Sequence, residues 1–585
     1  MLKKIIRKLK EGFLREMIAE TKWIYGYTSG YKRAEAVYIL LGLLSTAAGL
    51  ASGVASKYLI DAVVGRDTAV IGWVAGAYLA LGTGRIGLSA VIRRFSAKVS
   101  VRASNEIRAD VFRRFLDVDW QASLEYHSGD LLTRVNSDVQ TVADSVLGWI
   151  PSLMTSTVQF AATLAVILAY DPVMALIAFV SAPVSVFLSR FFVTKMREFG
   201  RKMRDTQAEM TAFYEETLQN LQAVKAFDLK ASFASRLDAL QEIYRGVSLD
   251  YNLFSVKSNL VMSACGLAVS CLCLFWGVYR LWSGYISFGT MVLFIQLTSL
   301  GSSSFSALVS LVPSAVSATV SARRIMTIVS LPAEDTRATE ETEAFMQKAG
   351  ENGVSVMMKD VSFSYNDGRR VFSGLELHAG PGEIIGIVSP SGGGKTTLIR
   401  LLLGLITPDS GGIYFESGGL SERLGASMRG LVTYVAQEKV VFSGRISETL
   451  RLTNRTATDA ELERALRLAC AWDFVSALPE GMETRLGERG SGLSEGQIQR
   501  LAIARAILSS APVMLLDEAT SALDFKTEKQ VLSNILSGDI RRTVIITTHR
   551  TTVLPGCARV YALENGKAVL LDGDTLEVFI KEGNT

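Results

Sequence analysis

The sequence predicts an α-helical transmembrane domain of six long helices followed by an α/β domain. Two observations support this fold class. The first half of the chain contains long stretches without a charged residue, and only 20% of all residues are charged while 49% are apolar. Near residue 330 the pattern changes to short apolar runs that alternate with glycine-rich turns, which is typical of α/β domains. A chain of 585 residues is long enough for both parts.

The N-terminal segment, residues 1–30, is basic and amphipathic. Its basic residues are interleaved with apolar ones, as in Lys3, Lys4, Arg7, Lys8 and Lys10 beside Leu2, Ile5, Ile6, Leu9 and Phe13. This pattern predicts a helix that lies on the inner leaflet of a membrane. A disordered basic tail is the alternative that the pattern leaves open, whereas a signal peptide is disfavoured because the segment lacks a long apolar core.

A transmembrane domain is predicted over residues 31–328. Charge-free runs of 21, 26, 18, 22 and 42 residues begin at positions 36, 145, 172, 258 and 281. A membrane-spanning helix needs about 20 apolar residues. A further apolar segment, 68–92, is interrupted only by Arg85. The predicted spans are 36–58, 68–92, 145–170, 172–194, 258–281 and 286–312.

The basic residues between these spans predict the orientation of the domain. The connection 93–144 carries eight Lys and Arg residues and the connection 190–257 carries eleven, whereas the other turns carry two or fewer. Basic residues concentrate on the cytoplasmic side of membrane proteins. We therefore expect both termini and both long connections in the cytoplasm, most simply at a bacterial inner membrane. The long connections keep a helical apolar rhythm, so the spans are expected to continue into the cytoplasm.

Composition excludes several other classes of protein and site. The net charge of +4, from 61 basic and 57 acidic residues, is too small to indicate a nucleic-acid binder. The five cysteines are scattered and form no CxxC pair, so they predict neither a disulfide framework nor a zinc site. The three histidines are too far apart in sequence to suggest a metal site.

A linker over residues 329–352 precedes the second domain, which is predicted over 353–585. In that domain the buried-strand pattern Glu383–Val388 runs into a glycine-rich loop and then a helix that begins near Leu398. Strand, glycine loop and helix are the context of a phosphate-binding loop, in which backbone N–H groups cradle phosphate oxygens. The expected nucleotide-binding residues are Ser391, Gly392, Gly393, Gly394, Lys395, Thr396 and Thr397.

Two side chains of this loop have distinct expected roles. Lys395 would reach the β- and γ-phosphates of a nucleotide, and the Thr396 hydroxyl would bind Mg²⁺. One position departs from the usual G-x-x-x-x-G-K-[ST] pattern, because Ser389 stands where the first glycine is expected. Taken alone, the loop could therefore be an ordinary turn.

Polar residues at the ends of two later strands favour the phosphate-binding interpretation. Asp517 and Glu518 follow the apolar strand 513–516, and His549 follows the apolar strand 544–546. Asp517 could hold hydrated Mg²⁺, Glu518 could activate an attacking water, and His549 could contact the γ-phosphate. The second domain is therefore predicted to be an α/β P-loop ATPase domain.

A further motif makes the sequence resemble the ATP-binding cassette (ABC) family. Leu493-Ser494-Glu495-Gly496-Gln497 is similar to the LSGGQ signature of that family, with Glu in place of the commonest Gly. The resemblance extends to Gln437 as the Q-loop glutamine, to Ser521–Asp524 as the D-loop, and to Tyr365 as the aromatic that stacks on adenine. Residues 484–490 resemble the loop that exporters of the family carry before the signature.

The resemblance implies ATP and Mg²⁺ as cofactors and a dimer as the working unit. In the family each ATP is sandwiched between the phosphate loop of one cassette and the signature of another, and this chain has one cassette. The resemblance therefore assigns Ser494, Gly496 and Gln497 to nucleotide binding. It assigns Gln437 to the nucleotide and, with Thr396 and Asp517, to the metal. The membrane half resembles the exporter branch, through residues 124–138 and 215–227.

The sequence contains little information about the transported substrate. The spans carry only weakly polar residues, including Gln159, Asn259, Gln296 and several serines between 299 and 310. Such residues usually face the interior of a helix bundle, although helix–helix packing also explains the serines. We expect an ATP-driven exporter of an amphipathic or lipid-like molecule or peptide, working as a homodimer. One half of a heterodimer with a paralogous half-transporter, a regulatory membrane protein, and an importer are the alternatives that remain.

Overall fold

The computed structural model of the chain describes residues 20, 22–27, 29–126, 128–365, 367–390, 392–437, 441–487, 490, 492–536 and 542–582. These residues form two compact units. The first unit lies within Met1–Leu116 and His127–Ser330, and the second within Asp117–Tyr126 and Leu331–Thr585. The predicted N-terminal amphipathic helix falls mostly outside the described residues, so it stays a prediction, as do the predicted domain boundaries.

Six long helices form the first unit. They are α1 (Lys32–Val64), α2 (Thr68–Leu116), α3 (Trp149–Tyr170), α4 (Pro172–Gln219), α5 (Lys230–Trp282) and α6 (Phe288–Val329). All but α4 contain a described stretch that is long and apolar enough to cross a membrane. Between α2 and α3 lie short helices at Ser128–Thr133, Arg134–Asp138 and Val139–Leu147, and Leu221–Ala226 joins α4 to α5.

Polar side chains define where two of these helices begin. Asp171, which is 1% exposed, accepts hydrogen bonds from the amides of Val173 and Met174 at 2.9 and 3.0 Å and so caps α4. Its other oxygen accepts a hydrogen bond from Arg280 at 2.7 Å. Ser287 caps α6 by accepting a hydrogen bond from the Thr290 amide. Because these caps satisfy backbone N–H groups, the connections between the spans can be very short.

The helices of the first unit pack in pairs. Helix α1 lies along α2, α4 lies along α5, and α6 packs against α1 and α3. One apolar cluster joins α3, α4, α5 and α6, with Ile167, Met174, Cys273 and Phe294 almost fully buried. A second cluster joins α2 and α6 to the short helix Val139–Leu147.

In the second unit, a helix lies inside the interval 329–352 that is predicted as a linker. Thr339 caps α7 (Glu340–Asn352), and Phe345 and Ala349, four residues apart on one helical face, are fully buried in the core of the unit. A short segment from between α2 and α3 also belongs to this unit. In it, the Asp117 carbonyl accepts a hydrogen bond from the Glu334 amide at 2.8 Å.

The described strands of the second unit are β1 (Ser355–Ser364), β2 (Arg370–Ala379), β3 (Ile384–Val388), β4 (Ser410–Ser417), β5 (Leu420–Arg423), β6 (Val432–Val435), β7 (Gly444–Arg445), β8 (Arg485–Leu486), β9 (Val513–Asp517), β10 (Thr543–Thr547), β11 (Arg559–Glu564) and β12 (Lys567–Leu571). The largest sheet has the strand order β12-β11-β3-β10-β9-β6, and all neighbouring pairs except β11–β12 are parallel. A second sheet has the order β2-β1-β4-β5 and is antiparallel. Strands β7 and β8 pair with each other in a small antiparallel sheet.

Helices of the second unit follow or precede these strands. They are α8 (Lys395–Leu402), α9 (Asp459–Leu468), α10 (Glu495–Leu508), α11 (Phe525–Leu536) and α12 (Gly573–Glu582), with short helices at Trp120–Ser123, Ile446–Leu450 and Trp472–Ser476. Strands β3, β9 and β10 are buried along their whole length. Their register places Ile387, Thr547 and Asp517 side by side, so the carboxyl ends of these strands open at one edge. Ligands bind at such an edge in α/β sheets.

Candidate functional site

The glycine-rich loop joins β3 to α8 as the sequence predicts, but α8 begins at Lys395 and not near Leu398. Gly394 has φ +101°, and a Cβ atom there would lie 2.9 Å from the Phe372 ring, so the position accepts only glycine. No side-chain hydrogen bond caps α8. Its first N–H groups therefore depend on a ligand or on solvent for partners.

Ser389 is accommodated in the loop because its neighbour is small. The Ser389 hydroxyl donates to the Pro390 carbonyl at 2.8 Å. A Cβ atom on Gly393 would lie 2.3 Å from the same hydroxyl oxygen. The missing side chain at Gly393 thus leaves room for the side chain at Ser389, where the usual loop pattern has glycine. Gly392 has φ +83°, and Ser391 lies outside the described residues.

Lys395, Gln437, Glu518 and His549 form one hydrogen-bonded group. The Lys395 Nζ atom lies 3.0 Å from Oε1 of Glu518 and also contacts the His549 ring. The same Glu518 oxygen is 2.8 Å from Nε2 of His549, and Gln437 donates to Oε2 of Glu518 at 2.8 Å. Residues that are distant in sequence therefore surround a single carboxylate.

The backbone fixes Glu518 in an uncommon conformation. Its φ is +48°, a left-handed value that is rare for residues other than glycine and is often found at functional sites. The Glu518 amide donates to the carbonyl oxygen of Thr547 at 3.0 Å, which ties the end of β9 to the end of β10. The side chain is directed into the group described above.

Asp517 lies beside Glu518 and is 3% exposed. Thr547 and Tyr434 donate hydrogen bonds to its two oxygens at 2.6 and 3.4 Å. Burial raises the pKa of Asp517, and the charge of Glu518 raises that pKa further. A nearby cation would stabilise the ionised form of this carboxylate.

The two threonines of the loop differ in their surroundings. Thr396 is exposed at the first turn of α8. Thr397 is buried, and its hydroxyl lies 3.1 Å from the Tyr365 hydroxyl, which also accepts a hydrogen bond from Arg400 at 2.9 Å. Tyr365 is thus placed at the start of α8, whereas its expected contact with adenine stays a prediction.

The signature residues form the start of α10. The Ser494 hydroxyl accepts a hydrogen bond from the Gln497 amide, and the Gln497 side chain accepts one from the Ser494 amide at 2.8 Å. This is a capping box, which satisfies two of the N–H groups that such a helix start exposes. Gly496 is required by its surroundings, because a Cβ atom there would lie 2.9 Å from the Ala522 carbonyl oxygen.

Four residues that hold the site together carry no recognisable motif in the sequence. Thr547 and Tyr434 bind Asp517, while Gln499 and Arg550 bind the loop 521–524. Arg550 follows His549 directly and Gln499 lies in the signature helix. Adjacency to a motif is the only signal that could have identified these two residues.

Two sequence profiles match the chain. The profile described as the ABC transporter transmembrane region matches residues 36–305, and the profile described as ABC transporter matches residues 372–521. The chain belongs to the ABC transporter family. It is an ATP-hydrolysing transporter in which a helical transmembrane domain is followed by one ATP-binding cassette domain.

Relatives of this ABC transporter match almost its full length. An ATP-dependent lipid A-core flippase of Chromobacterium violaceum is 28% identical over 564 residues, which is 93% of this chain and 92% of that protein. A protein of the same name from Syntrophus aciditrophicus is 26% identical over 87% of this chain and 84% of its own length. A bacterial Atm1-family ABC exporter, solved with ATP bound, shares the fold with a TM-score of 0.78 at 22% identity, over 94% of this chain and 96% of its own.

The oxygen atoms near the ABC transporter's phosphate loop fit a magnesium ion. Among the described residues, no cluster of three or more His, Cys, Asp or Glu side chains could hold a metal. Mg²⁺ does not need one, since it is usually bound by one or two protein oxygens together with water and phosphate oxygens. The buried carboxylate of Asp517 and the exposed hydroxyl of Thr396 are hard oxygen donors of this kind.

Proposed function

We propose that this ABC transporter exports an amphipathic or lipid-like small molecule or peptide and works as a dimer by alternating access. The observation that carries the proposed chemistry is the hydrogen-bonded group of Lys395, Gln437, Glu518 and His549 at the edge of the parallel sheet. ATP binding would close two cassettes, and hydrolysis would reopen them. A ligand shifts such an equilibrium only through its higher affinity for one state.

Each member of the group has a proposed role. The Lys395 ammonium binds the β- and γ-phosphates, and in doing so exchanges its ion pair with Glu518 for one with phosphate. The freed oxygen of Glu518 then accepts a proton from the attacking water, which makes Glu518 the general base. Gln437 orients this carboxylate, and His549 contacts the γ-phosphate from the end of β10.

Thr396, Gln437 and Asp517 are the residues that would hold Mg²⁺. When bound, the ion neutralises charge on the phosphate oxygens. The raised pKa of Asp517 supports this assignment, since a carboxyl group buried beside another carboxylate is stabilised by a cation. Asp517→Asn should therefore raise the Mg²⁺ concentration needed for half-maximal ATP binding, measured with a fluorescent ATP analogue during a magnesium titration.

The experiment that tests the proposed chemistry is the ATPase rate of the full chain in lipid nanodiscs. Glu518→Gln should leave ATP binding intact and lower kcat by about 10³-fold, because the amide cannot accept the proton. Glu564→Gln, at the exposed end of β11, is the matched control and should hydrolyse ATP like the unaltered chain. Hydrolysis at the unaltered rate by Glu518→Gln would show that the base is wrongly assigned.

The end of the α4–α5 hairpin supports a dimeric assembly. At 1.5 Å per residue, α4 and α5 are about 72 and 80 Å long, far more than the ~30 Å hydrocarbon core of a bilayer. At the connection between them, Leu218 and Phe227 are 70% and 73% exposed. Apolar side chains exposed outside the membrane mark an interaction surface, and we propose a second copy of this chain as the partner.

The same nanodisc assay distinguishes a homodimer from a heterodimer. A homodimer predicts that the chain purified alone hydrolyses ATP and that Glu518→Gln abolishes this hydrolysis. A folded, ATP-binding sample that hydrolyses nothing would indicate a missing partner chain with complementary site residues.

The chemistry of the membrane unit supports a lipid-like cargo. An open groove with a volume of about 680 Å³ lies between α1 and α2, and it is lined mainly by apolar side chains, with Asp61 as a charged residue among them. The residues around it include Ala51, Val54, Ala55, Tyr58 and Trp73. Serines 303, 304 and 310 donate hydrogen bonds to carbonyls of their own helix, which leaves α6 weakly polar. Two relatives are named as ATP-dependent lipid A-core flippases, and these names agree with such a cargo.

A bacterial inner membrane is the proposed location, with the cassette and both termini in the cytoplasm. The basic connections of the sequence support this orientation. Transport is tested in proteoliposomes that contain a fluorescent lipid, where ATP should increase the fraction of lipid in the leaflet opposite the cassettes. Glu518→Gln proteoliposomes are the control, and equal lipid movement in both samples would contradict ATP-driven export.

A further inference from the structure

The loop Ser521–Asp524 is attached directly to the proposed general base. The Ser521 amide donates a hydrogen bond to the Glu518 carbonyl at 3.1 Å, so the loop begins one turn after Glu518. It ends where α11 begins, with the Glu528 amide donating to the Asp524 carbonyl at 2.9 Å. A displacement of this loop would therefore be transmitted to the backbone of Glu518.

Arg550 holds the loop from the side of β10. Its guanidinium donates to the carbonyl of Leu523 at 2.9 Å and to the carbonyl of Ser521 at 2.7 Å. The Arg550 amide in turn donates to the Thr548 hydroxyl at 2.9 Å. Because Arg550 follows His549 in the chain, one residue connects the loop after Glu518 to the strand end that carries His549.

A buried carboxylate balances the charge of Arg550. Glu528 is 2% exposed, and its Oε2 atom accepts hydrogen bonds from Arg550 at 3.1 Å and from Thr552 at 3.4 Å. Removing Arg550 alone would leave this carboxylate without its charged partner, which is strongly destabilising in a protein interior. The effect of Arg550 on folding and its effect on the loop must therefore be separated.

Gln499 holds the same loop from the opposite side. This buried side chain of α10 donates to the Ser521 hydroxyl at 3.1 Å and accepts a hydrogen bond from the Ala522 amide at 3.0 Å. Gly496 allows α10 to approach the Ala522 carbonyl closely. The loop is thus fixed between the signature helix and the end of β10.

We propose that Arg550 is a positioning residue for ATP hydrolysis. It holds the loop Ser521–Asp524 so that Glu518 and His549 keep their 2.8 Å contact. The proposal rests on the proposed roles of Glu518 and His549. A fork of guanidinium N–H groups can hold two carbonyl oxygens at once, whereas a lysine ammonium at this position can supply the charge without that geometry.

Three variants separate positioning from folding. Arg550→Lys keeps a positive charge beside Glu528, Arg550→Met removes it, and Arg550→Met combined with Glu528→Gln removes both charges. We expect the first and the last to unfold near the temperature of the unaltered chain, and Arg550→Met alone to unfold earlier. In all three, kcat for ATP should fall about tenfold or more with KM nearly unchanged, because small displacements of catalytic groups are costly and Lys395 is not touched.

The readouts are thermal unfolding and ATPase kinetics of the full chain in nanodiscs. A double variant, or an Arg550→Lys variant, with the kcat of the unaltered chain would overturn the proposal, because Arg550 would then serve folding alone. Glu518→Gln is measured in parallel. If it hydrolyses ATP, the proposed base is wrong, whereas an inactive Glu518→Gln beside fully active Arg550 variants refutes only the positioning role.

Discussion

Two helix N-termini in the cassette differ in how their backbone N–H groups are satisfied. At α8 the preceding residues are glycines, no side chain caps the helix, and Lys395 contributes a buried cation. At α10 the Ser494 and Gln497 side chains cap the helix reciprocally. Both helix ends attract anions through their N–H groups and the helix dipole. The first turn of α8 also carries the positively charged Lys395, whereas the charged residue in the first turn of α10 is Glu495.

The two helix ends therefore suit different parts of the proposed nucleotide site. At the α8 end, N–H groups that no side chain caps lie beside a buried cation, as the proposed binding of phosphate requires, whereas the α10 end is capped by its own side chains. An anion at α10 gains from the dipole and from the Ser494 hydroxyl, and it requires little rearrangement. This arrangement fits a surface that closes over a nucleotide already bound elsewhere.

The largest effect is expected at α8. Lys395→Met keeps a side chain of similar length and removes the ammonium, so kcat/KM for ATP should fall about 10³-fold through loss of phosphate stabilisation. Lys567→Met, on the exposed edge strand β12, is the matched control. ATPase kinetics in nanodiscs check both, and a loss below tenfold in Lys395→Met would contradict the strong role given to α8.

An intermediate effect is expected at α10, where charge and capping can be separated. Asp and Asn both cap helices well, but only Asp brings a negative charge. Ser494→Asp should lower the ATPase rate about 100-fold, because its negative charge repels a phosphate anion at the same helix end. Ser494→Asn should keep most of the rate, and both variants should unfold near the same temperature. Equal ATPase rates in the two variants would show that the start of α10 does not bind phosphate.

The smallest effect is expected in the loop before α8, at Ser389 and Gly393. Ser389→Gly alone should change kcat/KM little, since the hydroxyl bonds only within the loop. Gly393→Ala should be costly in the unaltered chain, where the new Cβ would lie 2.3 Å from the Ser389 hydroxyl oxygen, and less costly in the Ser389→Gly background. A double-mutant cycle measures this coupling. Additive effects would show that the two positions are independent.

Local patterns explain how much could be predicted from sequence. The six helices and the P-loop cassette could be inferred directly, because each depends on neighbouring residues in the sequence. The helices depend on charge-free runs, and the cassette depends on a glycine loop between a strand and a helix. The carboxylates after β9 and the histidine after β10 were predicted for the same reason. Their mutual contacts follow from the parallel register of β3, β9 and β10.

Contacts between distant residues explain what could not be predicted. The segment 117–126 belongs to the second unit because Asp119 bonds to the Pro332 carbonyl and Trp120 lies over the Arg400 guanidinium. Nothing in its local sequence distinguishes it from the rest of a long connection. Arg550 and Gln499 were missed because an arginine and a glutamine beside known motifs carry no pattern of their own.

We propose that one catalytic site combines the α8 end of one copy with the α10 end of another. The most direct test coexpresses Lys395→Met with Ser494→Asp and measures the ATPase rate of the mixture. Each variant alone should be nearly inactive. Random pairing should restore about one quarter of the sites of the unaltered dimer, because the mixed dimer contains one intact combination. A mixture no more active than its two parents would contradict the claim.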